Sequence, residues 1–174
     1  LEVTRTAEFS LDRSKVAKRS VGKGRRGEYM LRDALRETIG VEFEKTPQSG
    51  GSHLKKGWKL AGDISTPDPD WPFCTEMKWR EKWSLEGLWS KKCKLWEWWE
   101  QVRRDAELTD LIPVLVFKRN GIKPLVMIVA EGVLEVDDVM FFADPNGTPI
   151  AVMQLTKWLG IAKRAFDARK EGTR

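Results

Sequence analysis

Apolar and polar positions along this chain change period several times, and each change predicts an element. From Gly27 to about Thr38 the spacing is helical, with Leu31, Leu35 and Ile39 on one stripe and Glu28 at its start. Gly40 stops that helix, and Val41 to Lys45 is predicted as a first strand. Residues 46–57 are hydroxyl-rich, glycine-rich and basic, and are read as a flexible loop. Lys59 to Thr66 and Phe73 to Arg80 are β-compatible runs on either side of a turn cluster with prolines at 67, 69 and 72. Residues 82–94 are a mixed, tryptophan- and lysine-bearing connection. A helix follows from about Leu95 to Leu108, apolar at Leu95, Trp98, Trp99, Val102 and Ala106. Leu111 to Lys118 is continuously apolar, as a strand buried on both faces requires. Asn120-Gly121 turns it into a strand from Pro124 to Ala130. Val139 to Ala143 and Ile150 to Met153 bracket Asn146-Gly147 as another hairpin, and Leu155 to Arg169 closes the chain as an amphipathic helix. The order is helix, three strands, helix, two strands, hairpin, helix, read as one domain over 22–174 behind a weakly ordered basic arm (1–21) with a short helix near Asp12 to Arg19.

The stretch from Gly62 to Trp79 carries the candidate chemistry. A hairpin folded about the prolines pairs residues whose numbers sum to about 139, which sets Asp63 opposite Glu76. Alternation along the strand sends Glu76 and Lys78 to one face and Thr75, Met77 and Trp79 to the other. Two carboxylates about 4 Å apart repel by about 4 kcal/mol at an effective dielectric of about 20. One of them must take up a proton, or a divalent cation with oxygen ligands must bridge them. A lysine beside such an ion offsets charge on a phosphoryl group or orients attacking water. Glu-x-Lys also decorates ordinary solvated strand faces, and both readings stand on the triplet alone. Glu28 has two readings as well: a carboxylate complementing the helix macrodipole, or an inward acid that needs a partner.

Composition narrows the class. The 174 residues are 41% hydrophobic and 33% charged, which suits a soluble globular chain, and no apolar run reaches the length of a membrane span. Two cysteines, Cys74 and Cys93, are too few for a zinc cluster; they suggest a reducing compartment and are expected to be buried. The single histidine, His53, argues against His-rich metal sites and a Ser-His-Asp hydrolase. Net charge is a mild +5, but the seven ionic side chains from Arg13 to Arg26 are all basic, an electrostatic footprint for a polyanion. Gly22-Lys-Gly-Arg-Arg-Gly27 is a basic lead-in to the first helix and lacks the spacing of a P-loop. Eight of the nine tryptophans fall between Trp58 and Trp99, so most belong to core or subunit interface.

Asp63 with Glu76-Met77-Lys78 resembles the site of the PD-(D/E)xK nucleases, with Gly62 where that superfamily has proline. Over Gly22 to Ala130 the chain is similar to the archaeal-type Holliday junction resolvases and their phage relatives. The matching residues are Gly22-Lys-Gly-Arg-Arg-Gly-Glu28, Gln48-Ser-Gly-Gly-Ser52, Gly62-Asp63-Ile64, Glu76-Met77-Lys78, and Glu100-Gln101-Val102 leading to Ile112-Pro113-Val114-Leu115. The resemblance implies an α/β, restriction-endonuclease-like core, a mixed central β-sheet flanked by helices. It implies a homodimeric endodeoxyribonuclease making paired nicks in four-way junctions, in the cytoplasm of a prokaryotic or phage-infected cell. Asp63 and Glu76 would hold Mg2+ or Mn2+ with the Met77 carbonyl, Glu28 would complete the acidic cluster, Lys78 would position water, and Ser52 rather than Ser49 would approach the phosphate. Lys15, Lys18, Arg19, Lys23, Arg25, Arg26, Lys55 and Lys56 would contact the DNA backbone. The rivals are an endonuclease of the same fold acting on linear or forked DNA, and a DNA-binding module that does not cut. The tryptophan-rich 82–94 segment and the extended C-terminal region depart from the family pattern.

Overall fold

The computed structural model describes residues 22–47, 61–131, 133 and 136–172. The expected N-terminal arm, most of the 46–57 loop and the first residues of the expected second strand lie outside the described residues. Helix α1 (22–39) turns its stripe inward, with Leu31 and Leu35 fully buried. Gly40, at φ +82°, ends it with its N–H on the Arg36 carbonyl (3.0 Å). Arg36 then holds the outgoing chain, donating to the Phe43 carbonyl (2.7 Å) and to Glu44 Oε1 (2.5 Å).

Among the described residues seven strands follow: β1 (Glu44–Lys45), β2 (Ile64–Ser65), β3 (Phe73–Trp79), β4 (Ile112–Lys118), β5 (Leu125–Val129), β6 (Met140–Ala143) and β7 (Pro149–Gln154). A 3-10 turn (Leu85–Trp89) and α2 (Lys94–Glu107) connect β3 to β4, and α3 (Leu155–Gly172) ends the described chain. The main sheet has the order β3-β4-β5-β7-β6. Its β3–β4 pair is parallel, with Phe73 beside Ile112, and the other pairs are antiparallel. Thus α2 is the crossover that a parallel pair requires. The mixed central sheet flanked by helices is the α/β architecture expected from the sequence.

One core lies on each face of that sheet. Leu31, Leu35, Val114, Val116, Trp158 and Phe166 fill one, with α1 and α3 covering it. Trp99, Val102, Leu115, Phe117 and Met127 fill the other, under α2. Strand β4 contributes alternately to both, which is why its sequence is continuously apolar. Among the described residues no helix is long and apolar enough to cross a membrane.

Two expectations change here. The three-strand meander is divided: β1 and β2 form their own antiparallel ribbon, Glu44 opposite Ser65, and β3 belongs to the main sheet. The hairpin about the prolines, with Asp63 opposite Glu76 in antiparallel register, does not form. Trp71 draws the proline segment into the core, where it meets Phe43, Phe73, Trp158 and Phe166 edge-on at centroid separations of 4.9, 5.2, 6.5 and 6.1 Å. Gly62, at φ +68°, turns the chain so that it touches β3 through a parallel bridge to Thr75. A Cβ on Gly62 would stand 2.2 Å from the Thr75 carbonyl oxygen. This is the physical reason that proline, with φ fixed near −65°, has no place at 62.

Gly62→Ala should therefore lose more stability than Gly121→Ala, a position at φ +79° with no atom within 4 Å of the added methyl. The left-handed backbone alone costs roughly 1–2 kcal/mol, and the clash at Gly62 should add at least about 2 kcal/mol. Urea unfolding of the two variants measures the difference, and equal losses would refute the close approach to Thr75.

Candidate active site

Strand β3 is the edge of the main sheet, and its backbone determines what can sit beside it. Its even-numbered residues face β4, as Ile112 N–H on the Pro72 carbonyl (2.8 Å) and Arg80 N–H on the Lys118 carbonyl (3.0 Å) show. Its odd-numbered residues therefore offer their N–H and C=O to the free edge. Asp63 occupies that edge. Its N–H donates to the Thr75 carbonyl (2.7 Å), and its Oδ2 accepts the Met77 N–H (2.8 Å). The Met77 carbonyl opens on the same side as the Met77 N–H, toward Asp63.

Glu76 and Lys78 point to the α2 face. Lys78 Nζ donates to Glu76 Oε1 at 2.5 Å, and Gln101 Nε2, from α2, donates to the same oxygen at 3.1 Å. Glu76 is only 5% exposed. Each carboxylate thus has one oxygen tied to protein donors and a second that, among the described residues, has none.

Glu28 approaches from α1. Gly27 lets that helix close on β3: an added Cβ would stand 2.9 Å from the Met77 methyl carbon. Glu28 is buried, and its Oε2 is in ion-pair contact with Lys45 of β1 without the alignment of a hydrogen bond.

The electrostatics follow from this crowding. Burial, then the Glu76 charge, pushes the Asp63 carboxyl from its ordinary 3.8 to about 7; Glu28 adds to the rise, while the Met77 N–H and Lys78 oppose it. Burial, then Asp105, Glu76 and Asp63, pushes the Cys74 thiol up to about 12, so Cys74 is a buried neutral group, as expected. Cys93 is half-buried and free.

A family model described as "Phage putative PDDEXK endonuclease" matches residues 19–142. The chain belongs to that family. A similar protein is Protein D14 of Escherichia phage T5, 37% identical over 103 residues, which are 56% of this chain and 63% of D14. The chain therefore spans less than two thirds of the length of that curated relative. Among solved structures it is similar to Archaeoglobus fulgidus Hjc, a Holliday junction resolvase, at 16% identity and a TM-score of 0.38, covering 82% of this chain and 99% of that one.

PDDEXK nucleases generally depend on a divalent metal, and the donor set in this member of the phage family fits one. Two carboxylates, each with an oxygen that no described residue engages, beside a backbone carbonyl, are hard ligands that leave room for water, as Mg2+ and Mn2+ prefer. The raised Asp63 carboxyl marks negative charge that the protein alone leaves under-compensated. Among the described residues no group of three or more His, Cys, Asp and Glu side chains forms a metal cage, and Glu28 has Lys45 as its charged neighbour.

Of the predicted DNA contacts, Lys23, Arg25 and Arg26 lie at the start of α1, and this start reaches the C-terminal end of β3. Lys23 pairs with Glu81 (2.6 Å), and the Arg26 guanidinium lies 5.8 Å from the Trp79 ring centroid. Arg25 and Arg26 are exposed. Lys15, Lys18, Arg19, Lys55, Lys56, Ser49, Ser52 and His53 lie outside the described residues. The structure adds Lys118, whose ammonium is 5.2 Å from the same Trp79 ring, and Arg119, 5.2 Å from the Trp83 ring. It also adds Gln101 to the candidate site. Nothing in sequence spacing links these residues to the site except the place of Gln101 one turn beyond Trp98, on the edge of the buried stripe of α2.

Between about pH 4 and pH 7 the folded chain retains a proton on Asp63 that the unfolded chain has released. That contribution to stability is complete below the lower value and lost as pH rises through the higher one. Metal-free Asp63→Asn, whose amide oxygen can still accept the Met77 N–H, should melt higher than wild type at pH 8 and alike at pH 4. Calorimetric melts at both values check this; a constant difference between the proteins would refute it.

Proposed function

We propose that this chain is a divalent-metal-dependent endodeoxyribonuclease that resolves four-way DNA junctions by paired nicks made by a homodimer. The observation that supports catalysis best is Asp63, held on the edge of β3 within the field of Glu76 and Lys78 on the α2 face, each carboxylate keeping one oxygen that no described residue engages. Asp63, Glu76 and the Met77 carbonyl would hold Mg2+ or Mn2+, with Glu28 behind them. When bound, the ion supplies Lewis acidity at the scissile phosphodiester. Lys78 turns its ammonium from Glu76 toward the phosphate, aligns the attacking water and offsets the charge that grows on the phosphoryl oxygens. Water adds to phosphorus, one P–O bond breaks, and no covalent enzyme intermediate forms. Ser52 would approach the same phosphate, as the sequence resemblance implies.

DNA is held by shape and phosphate contacts from Lys15, Lys18, Arg19, Lys23, Arg25, Arg26, Lys55 and Lys56. The junction substrate rests on the sequence resemblance to archaeal-type resolvases. Two cuts in fixed relation call for two copies. Met140 and Phe141, exposed on the outer strand β6, and the exposed Trp89, which stacks edge-on against Phe142 of β6 at 5.5 Å, offer apolar surface for that pairing.

Purified protein with magnesium should nick a four-way junction and leave linear duplex of the same sequence largely intact. Lys78→Ala should cut the nicking rate by roughly 10²–10³-fold, and Asp63→Asn should abolish it. Equal cutting of junction and duplex would favour an endonuclease for linear or forked DNA. Absence of cutting by wild type, with junction binding retained, would favour a non-cleaving binding module. Neutralising both Arg25 and Arg26 should weaken binding to all sequences alike and lower the slope of log K against log salt by about 2. A filter-binding series from low to high salt measures that slope, and an unchanged slope would remove both residues from the DNA contact.

A further inference from the structure

We propose that Gln101 is a positioning residue that holds Glu76 in its ion-binding orientation, above all when Lys78 leaves to engage the phosphate. This inference rests on the metal-site reading above. Gln101 and Lys78 donate to the same oxygen, Glu76 Oε1, at 3.1 and 2.5 Å. A carboxylate oxygen has two lone pairs, so these donors saturate it and leave Oε2 as the oxygen for any other partner. The direction of the Gln101 amide is chemically fixed, because only its NH2 group can face an ionised carboxylate.

The two donors differ in what they can do next. Lys78 is a flexible cation, 18% exposed in its side chain, and its proposed role requires it to swing away. Gln101 stands on a helix fixed by five buried neighbours, Leu95, Trp96, Trp98, Trp99 and Val102, so its backbone stays beside Glu76, and as a neutral amide it is not drawn away by an arriving phosphate. Once Lys78 departs, Gln101 is the remaining donor to Glu76 among the described residues. It is also neutral. A cation at 101 would fix the carboxylate equally well but would cancel the charge that attracts the ion. An amide supplies orientation without that cancellation, which is what a hydrogen-bond partner behind a ligand provides in metal sites generally.

The test is calorimetric titration of the DNA-free protein with Mn2+, on wild type, Gln101→Met, Gln101→Glu, Lys78→Met and the Lys78→Met/Gln101→Met pair, each with its thermal melt. Gln101→Met should bind Mn2+ roughly 10-fold more weakly or worse, at an unchanged melting temperature, with nicking restored toward wild type at saturating Mn2+. The loss caused by Gln101→Met should be larger in the Lys78→Met background, where no second donor remains. Gln101→Glu keeps the size and adds an anion; it should also bind more weakly, because the donor is gone. Tighter binding by Gln101→Glu, or wild-type affinity in Gln101→Met at equal stability, would overturn the role of Gln101 alone. Failure of wild type to bind Mn2+ would overturn the metal-site reading and this role with it.

Discussion

Asp63 is held by two backbone hydrogen bonds to the exposed side of β3, and the candidate site depends on that attachment. Its N–H reaches the Thr75 carbonyl and its carboxylate accepts the Met77 N–H. An edge strand normally leaves these groups to solvent or to another strand. Here a single residue takes both, so its carboxylate is fixed within reach of the Glu76 charge rather than swinging free. The close approach is possible because residue 62 has no side chain and adopts a left-handed backbone. Burial and the neighbouring acids then make the arrangement electrostatically unfavourable, and the raised Asp63 carboxyl is the measure of that conflict.

The rest of the fold supplies rigid walls to this edge. Gly27 brings α1 against Met77, which places Glu28 close enough to add to the field at Asp63. The parallel β3–β4 pair requires a crossover, and α2, in making it, brings Gln101 within hydrogen-bond distance of Glu76. Trp71, in the core beneath, fixes the segment between Asp63 and β3. Asp63 is thus held by hydrogen bonds, whereas α1, β3 and α2, which carry the other site residues, are positioned by buried apolar packing. The basic start of α1 and the Lys118–Trp79–Arg26 group lie at the same end of β3, so positive charge gathers there.

Local pattern determined much of this. Helical spacing at Leu31, Leu35 and Ile39, the continuous run in β4 and the Asn120-Gly121 turn each have one stable solution, because side-chain direction and turn geometry are set by neighbours in sequence. The alternation of Glu76 and Lys78 was legible for the same reason, and so was the convergence of Asp63 on Glu76, since the chain between them is short. The manner of that convergence was decided only in three dimensions. Three prolines beside aspartates read as a hairpin, but the aromatic pocket formed by α3, β3 and Phe43 draws Trp71 inward and reverses the expected register. The partnerships of Glu76 with Gln101, Glu28 with Lys45 and Trp79 with Lys118 were likewise hidden, because they join residues 25, 17 and 39 positions apart through helix and sheet packing. Sequence periodicity fixes which way a side chain faces; which partner it finds there depends on the packing of elements distant along the chain.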